Sequence, residues 1–321
     1  MTDGADRPAV SVAVSTFSRA DLLERLLRAL SEQDVPGGFE VCVYDDASTD
    51  ETPAVLARWA ERFTLRSQRG YVNRGPATGR NRAWELARAE VVVFTDDDCV
   101  PAPGWLAAHA AAHDDAGTTV AVGRTAPNPE QADREGPFSR TLRVDDARYF
   151  QTCNLSLPRA LLDALGGFDE TFRRAAGEDT DLGLRAVESG AQAVFVPDAL
   201  VHHDVRASSV RATVRDAFRF SDITLVVRKH PQVRATLLHH RWFWKPSHPP
   251  AILATIGLVA ALRRPAAVLL VLPWLRLRWR SHPPMTGRAQ LVACLPALLA
   301  VDVAEVAAMT RGSVRHRSLV L

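Results

Sequence analysis

The stretch V-V-V-F-T-D-D-D-C-V-P at Val91–Pro101 decides the fold. Val91, Val92, Val93 and Phe94 form an apolar run without alternation, which marks a strand buried on both faces of a parallel sheet. Three carboxylates follow at its C-terminal end, where open α/β sheets bind their ligands. Alternation along an extended chain sets Asp96 and Asp98 on the same side. Two hard oxygen donors so spaced suit a divalent cation such as Mg²⁺ or Mn²⁺, which would also hold a diphosphate. Taken alone the triplet reads equally well as a solvated turn, so its neighbours must decide.

Upstream, Val10–Thr16 alternates as a strand, and Arg19–Gln33 spaces Leu22, Leu23, Leu26, Leu27 and Leu30 at helical intervals. Phe39–Tyr44 is a second strand ending in Asp45 and Asp46. A helix over Thr52–Phe63 follows, with Pro53 in its first turn. Leu65–Arg69 reads as a short strand and Gly79–Ala89 as the helix feeding Val91. This β-α-β-α-β alternation predicts a doubly wound, mainly parallel sheet flanked by helices. Downstream, helices are expected at Trp105–His113, Leu157–Leu165 and Asp181–Ser189, the last stopped by Gly190. Strands are expected at Val120–Arg124 and Ala193–Pro197. The polar, Pro- and Gly-bearing Pro127–Asp145 is expected to be a mobile loop beside the site.

The 321 residues carry a net charge of only +2, but the average hides a split. Residues 1–204 hold 21 Lys+Arg against 33 Asp+Glu, and residues 205–321 hold 18 against 4. An acidic part followed by a basic part implies two jobs. The expected division is an α/β domain over 1–205, a basic helical linker over 206–248 and an apolar, basic helical tail over 249–321. Cys42, Cys99, Cys153 and Cys294 are scattered without a C-x-x-C pair, so buried free thiols and a reducing cytosol are expected. The N-terminal M-T-D-G-A-D-R-P has no apolar core of a secretory signal.

Four more segments carry chemistry. In Y-D-D-A-S-T-D-E-T (Tyr44–Thr52), Ser48, Thr49 and Asp50 suit a turn and helix cap, while Asp45 and Asp46 can accept hydrogen bonds from a nucleobase or ribose. In N-R-G-P-A-T-G-R-N (Asn73–Asn81), Gly75 and Gly79 permit close backbone approach, and Arg80 can meet a phosphate or base. In Gly167–Arg185, Glu178, Asp179 and Asp181 crowd a helix entrance beyond the needs of capping, and one is a candidate general base. V-H-H-D-V-R at Val201–Arg206 offers a metal ligand or phosphate contact in its histidine pair.

Taken together, the strand-end Y-D-D-A-S-T-D, the N-x-G-x-x-x-x-R-N segment, the D-D-D triplet, the G-G-F-D-E turn and the G-E-D-T-D-L helix resemble the inverting family 2 glycosyltransferases of GT-A fold. They occur in that family's order over roughly residues 8–206. The resemblance implies a donor-nucleotide site at Thr16, Asp45, Asp46, Arg80, Asn81, Asp96 and Asp97. It implies a metal at Asp96, Asp98 and His203, with His202 as the alternative ligand. Asp179 takes the catalytic base's position with Glu178 beside it, and Asn154 and Asp181 fall on the acceptor side. Where the family often has a basic pair near Asn154, this chain has N-L-S-L-P-R with the single Arg159. The implied partners are a nucleotide-diphosphate-sugar donor and a glycan or lipid-linked acceptor. A sugar nucleotidyltransferase and a non-catalytic, membrane-anchored nucleotide-sugar binder are the competing readings.

Beyond Lys229, three apolar stretches, Ala251–Leu262, Ala266–Leu275 and Ala289–Met309, are flanked by basic residues. The first two are short of the roughly 20 residues a span needs. Arg263 and Arg264 lie between them, and burying both at mid-bilayer would cost on the order of 5–7 kcal/mol. The third contains Pro296, Asp302 and Glu305. Helices lying in or dipping into the cytoplasmic leaflet, with Lys and Arg on anionic lipid and Trp242, Trp244, Trp274 and Trp279 at the interface, are expected, with spanning helices and a soluble helical subdomain as the alternatives. Apolar stretches between the charges favour lipid over nucleic acid as the tail's partner.

Overall fold

The computed structural model describes residues 7–113, 118–281 and 287–321. Met1–Asp6, on which most of the signal-peptide reading rests, lie outside the described residues. The chain divides into two compact units. One runs to Ala132 and resumes over Thr141–Asp204; the other takes Asp133–Arg140 and Val205–Leu321.

The first unit alternates as β1 (Val10–Thr16), α1 (Ala20–Ser31), β2 (Phe39–Asp45), α2 (Thr52–Ala60), β3 (Leu65–Arg69), α3 (Pro76–Glu85) and β4 (Val91–Thr95). It continues with β5 (Cys99–Pro101), α4 (Trp105–Ala111), β6 (Thr119–Pro127), β7 (Asn154–Pro158), α5 (Arg159–Leu165), α6 (Glu178–Glu188) and β8 (Gln192–His203). The strands form one sheet in the order β3-β2-β1-β4-β7-β6-β8-β5. β3, β2, β1 and β4 are parallel, as are β6 and β8. β7 runs antiparallel to both β4 and β6, and β5 antiparallel to β8. The sheet is therefore mixed, with its parallel half where the sequence predicts it.

Two apolar layers sandwich the sheet. Leu23, Leu26, Leu27 and Leu30 of α1 are fully buried against Val10, Val12, Val14, Val41 and Val43. Burial of each such side chain contributes about 1.5–3 kcal/mol, which is why the helical leucine spacing fixes the orientation of α1. On the other face, Phe94, Leu155, Leu157, Leu162, Phe168 and Leu182 form the second layer. Gly79 lets α3 lie close to β1, since a Cβ there would meet Ser15 Oγ at 2.0 Å.

β7 replaces the first part of the helix expected at Leu157–Leu165. Its N-L-S-L-P places Leu155 and Leu157 in the second apolar layer, and Asn154 is fully buried. Asn154 Nδ2 donates to the carbonyls of Arg124 (2.8 Å) and Ala199 (2.7 Å), and its Oδ1 accepts from Trp105 Nε1 (2.8 Å) and lies 2.8 Å from His109 Nε2. It spans the register shift between Gly123 and Arg124 in the β6–β8 ladder. The segment expected as a mobile loop holds a 3₁₀ turn at Pro129–Arg134, and Val144 pairs with Thr125.

The second unit holds α7 (Val210–Ala217), a 3₁₀ turn at Phe218–Asp222, α8 (Ile223–Lys229), α9 (Val233–Thr236), α10 (His248–Ala261), a 3₁₀ segment at Pro265–Val271, α11 (Leu272–Arg280) and α12 (Arg288–His316). Among the described residues α12 is the one helix long and apolar enough to cross a membrane. It also carries buried charge within its unit. Asp302 accepts from Trp274 Nε1 at 2.7 Å and pairs with Arg278, and Glu305 pairs with Lys245 Nζ at 2.6 Å and His248 Nε2 at 3.3 Å.

Asn154→Ala is expected to lower unfolding stability by about 2–4 kcal/mol, because it strands two buried carbonyls and an indole N–H that now share one side chain. Urea denaturation of the variant measures this; an unchanged midpoint would remove Asn154 from the core's polar framework.

Candidate active site

The C-terminal ends of β1, β2 and β4 lie side by side, and the acidic residues predicted from sequence emerge there. Asp45 and Asp46 are both buried. Asp45 Oδ1 accepts from Ser48 N–H (2.8 Å), so it shapes the turn into α2. Asp46 Oδ2 accepts from Arg74 N–H (3.0 Å) and Gly75 N–H (2.9 Å), which moors the loop ahead of α3. Gly75 has φ +91°, and a Cβ there would meet Arg173 O at 2.8 Å, so only glycine fits.

Arg80, at the middle of α3, is buried and reaches two carboxylates. Nη2 donates to Asp96 Oδ1 (2.8 Å) and Nη1 to Glu178 Oε1 (2.7 Å). It thereby joins the end of β4 to the start of α6. Burial would raise Asp96, but the charge and hydrogen bond of Arg80, helped by His203 and Arg19, hold its carboxyl below the usual range. For Glu178 burial prevails over Arg80 and the carboxyl is raised. Asn81 sits beside Arg80 and faces elsewhere. Its Nδ2 donates to Phe168 O (2.9 Å) and its Oδ1 accepts from Phe168 N–H (2.8 Å), clasping the G-G-F-D-E turn onto α3.

Asp179 is partly exposed between buried neighbours. Burial of the charged form and then repulsion from Glu178 push its carboxyl up to about 7, against the pull of Arg80 and of the Thr180 N–H on Oδ1 (2.7 Å). Asp181 is fully buried and pairs with Arg185 Nε (2.8 Å), whose Nη atoms donate to Leu165 O and Gly167 O. Asp181 and Asn154, both expected on the acceptor side, thus have side chains engaged within the scaffold.

Asp97 accepts from Thr16 Oγ1 (2.8 Å) and Arg19 Nη1 (2.7 Å), and Arg19 lies 3.4 Å from Asp98 Oδ2. Burial, reinforced by Asp98, raises Asp97 to about 6 even against Arg19. Arg19 is the residue that the sequence reading missed, because the carboxylates it serves lie 78 and 79 positions away.

At the other end of the triplet, Asp98 Oδ1 lies 3.6 Å from His203 Nε2. His203 Nδ1 is 2.9 Å from the Asp204 carbonyl and donates to it, which fixes the ring with Nε2 directed toward Asp98. An oriented imidazole beside a carboxylate fits a divalent cation. Asp98, Cys99 and His203 bring their ligand atoms within 4.8 Å of one another. Asp96, expected as a further ligand, accepts at Oδ1 from Arg80 Nη2 (2.8 Å).

The fold and this strand-end arrangement are those of a GT-A glycosyltransferase. The chain belongs to glycosyl transferase family 2: the Glycosyl transferase family 2 description matches residues 11–176, and Glycosyl transferase family group 2 matches residues 142–281. It is 29% identical over 281 residues to validoxylamine A glucosyltransferase of Streptomyces hygroscopicus subsp. limoneus, with 74% of this chain and 59% of that protein covered. It is 27% identical over 247 residues to the pre-mycofactocin glycosyltransferase of Mycobacterium tuberculosis, covering 71% and 50%. The chain spans about half to three-fifths of the length of these relatives. The mannosyltransferase PcManGT of Pyrobaculum calidifontis, solved with GDP-Man and Mn²⁺, superposes with a TM-score of 0.59 at 24% identity, over 97% of this chain and 87% of that one. Staphylococcus aureus TarS 1–349 with UDP-GlcNAc does so at 0.53 and 18%, over 96% and 92%.

Because Asp179 binds its proton more tightly folded (about 7) than at its ordinary 3.8, stability falls as pH rises through that window. Asp179→Asn keeps an acceptor for Thr180 N–H and removes the loss. Its melting temperature should exceed the parent's at about pH 8, with the gap closing as pH falls below about 3.8, where the carboxyl is protonated in both states. Equal melting curves at every pH would show that Asp179 is not electrostatically strained.

Proposed function

We propose that this glycosyltransferase moves a sugar from a nucleotide-diphosphate sugar to an acceptor hydroxyl with inversion, in cell-envelope or lipid-linked glycan synthesis. The observation that carries this reading is a partly exposed, proton-affine Asp179 set beside the Arg80 bridge between Asp96 and Glu178. A base titrating near 7 has the right affinity to take a proton from a hydroxyl in neutral solution. Arg80 holds Glu178 and Asp96 in fixed register, so the base and the donor-binding strand end keep their spacing. Asp46 and Asp45 would take the nucleobase and Asp96 the ribose, with Thr16 and Asp97 beside them and Asn81 acting from behind, by clasping the G-G-F-D-E turn onto α3. Asp98 and His203 would hold a divalent cation, Mg²⁺ or Mn²⁺, which when bound neutralises the leaving diphosphate. Deprotonated by Asp179, the acceptor oxygen attacks the anomeric carbon from the face opposite the diphosphate. That single displacement inverts the stereocentre through an oxocarbenium-like transition state.

The nucleotide sugars and Mn²⁺ in the two superposed structures support the donor class and the ion. A nucleotidyltransferase would need free basic groups for a triphosphate, and Arg80 and Arg19 are committed to carboxylates. A panel of nucleotide sugars with Mn²⁺ and a hydroxyl acceptor, read by the anomeric coupling of the product in NMR, tests the reaction. Retained configuration, or transfer of the nucleotide itself, would overturn it. Asp179→Asn should lower kcat by roughly 10²–10⁴-fold while donor affinity holds. Asp98→Ala should abolish Mn²⁺-dependent binding of nucleoside diphosphate with the melting curve still cooperative; affinity equal to the parent's would remove Asp98 from the metal site.

The second unit is read as the membrane contact, on the cytoplasmic face. Val259, Leu262, Leu269 and Leu272 are exposed, Leu262 at 86%, with Arg263 and Arg264 among them. Apolar side chains beside cations match an anionic bilayer surface, where each Lys or Arg contributes about 1 kcal/mol. Flotation with phosphatidylglycerol vesicles should capture the protein at low salt, and phosphatidylcholine vesicles should not. Equal flotation with both would exclude the charge contribution, and none with either would exclude the membrane.

A further inference from the structure

Cys99 enters no step above. It is buried, follows Asp98 directly, and stands opposite His203 in the antiparallel β5–β8 ladder. Cross-strand partners project to the same face of a sheet, which brings Cys99 and His203 together, and Asp98 reaches the same imidazole from just before the strand. The ligand atoms of Asp98, Cys99 and His203 lie within 4.8 Å of one another. Ligands on a tetrahedral Zn²⁺ stand about 3.3–3.7 Å apart, so a closure of roughly 1 Å brings the three onto one ion. His203 needs no reorientation, because the Asp204 carbonyl already fixes its Nδ1 as the donor.

The three donors are not equivalent toward different cations. Mg²⁺ and Mn²⁺ take oxygen and nitrogen and gain little from sulfur, whereas Zn²⁺ and Co²⁺ accept carboxylate, imidazole and thiolate together. We propose that Asp98, Cys99 and His203 form a site for a thiophilic divalent cation of the Zn²⁺ type, with Cys99 Sγ as the ligand that distinguishes it from Mg²⁺ and Mn²⁺. This inference rests on the reading of Asp98 and His203 as metal ligands. On binding, a sulfur–metal bond forms and the thiol proton passes to water; no electron is transferred. The thiophilic ion uses two ligands that the hard cation also needs, so the two compete. The Zn²⁺ form holds its ion more tightly and exchanges it more slowly, and micromolar Zn²⁺ displaces Mn²⁺ and inhibits the enzyme. Cys153, which hydrogen-bonds to Cys99 and lies 3.5 Å from Thr125 Oγ1, is outside the cluster and serves as the control thiol.

Titration of the reduced full-length protein with Co²⁺, followed by absorption, tests this without any turnover. The parent and Cys153→Ala should show visible d–d bands together with a near-ultraviolet thiolate-to-cobalt charge-transfer band. Cys99→Ala and Cys99→Ser should keep d–d bands and lose the charge-transfer band. Their Zn²⁺ affinity should fall by about tenfold or more while Mn²⁺ affinity stays within about threefold. Using both variants, with melting curves, separates loss of the ligand from loss of the fold. A parent spectrum with d–d bands and no charge transfer would overturn the role of Cys99 and leave the Asp98–His203 metal reading standing. No cobalt spectrum at all would overturn both.

Discussion

The buried guanidinium of Arg80 is the constraint on which the site depends. The end of β4 and the start of α6 each bring a carboxylate into the same desolvated space, and without a cation between them Asp96 and Glu178 would repel. One planar side chain with a donor for each resolves this. Its depth has a cause further back in the chain, since Gly79 allows α3 to lie against β1 at a distance any Cβ would forbid. Removing one member of such a buried set typically costs about 3–5 kcal/mol, because the remaining charges stay buried and unmatched. The same bridge explains why neighbouring carboxyls behave differently. Asp96 takes a direct hydrogen bond from Arg80 and is held below its usual range, while Asp179 feels burial and Glu178 more strongly and is held near 7.

Much of this was legible in the sequence. Unbroken apolar runs and the leucine spacing of Arg19–Gln33 gave the parallel half of the sheet and α1, because both signals are local and long. β7 was hidden because N-L-S-L-P runs straight into R-A-L-L-D-A-L, and a helical period absorbs its two leucines. β5 is three residues long and has no period to detect. The extent of β8 was cut short in the reading at Pro197, where the ladder shifts register and then continues to His203. For the site, residue types were readable and their partners were not. Asp46 and Asn81 stood out as polar residues in unusual places, yet each one's hydrogen bonds include partners brought near only by folding, such as Gly75 and Phe168, whereas Asp181 pairs with Arg185 one helical turn on. A cation such as Arg19 carries no local mark of the carboxylates it will meet.

In the second unit, buried ion pairs anchor one face of an apolar helix. α12 has the length and composition of a membrane span, yet Asp302 and Glu305 tie it to Trp274, Arg278, Lys245 and His248. Those pairs specify which side of the helix faces inward, at positions where apolar packing alone would accept several rotations. The face left outward by α10 and the 3₁₀ segment is free of acidic residues.

The path of the chain has a consequence for inheritance and engineering. The backbone leaves the first unit after Ala132, returns at Thr141 and leaves again after Asp204. Within the second unit, Arg140 pairs with Asp216 and exchanges backbone hydrogen bonds with Arg206. A single cut near 205 therefore yields no clean half: the N-terminal fragment would still carry 133–140 without its bridge partner Arg206. Recombination that swaps the C-terminal segment between relatives must carry this eight-residue excursion along with it, so the two parts are expected to be inherited as one module rather than shuffled as two.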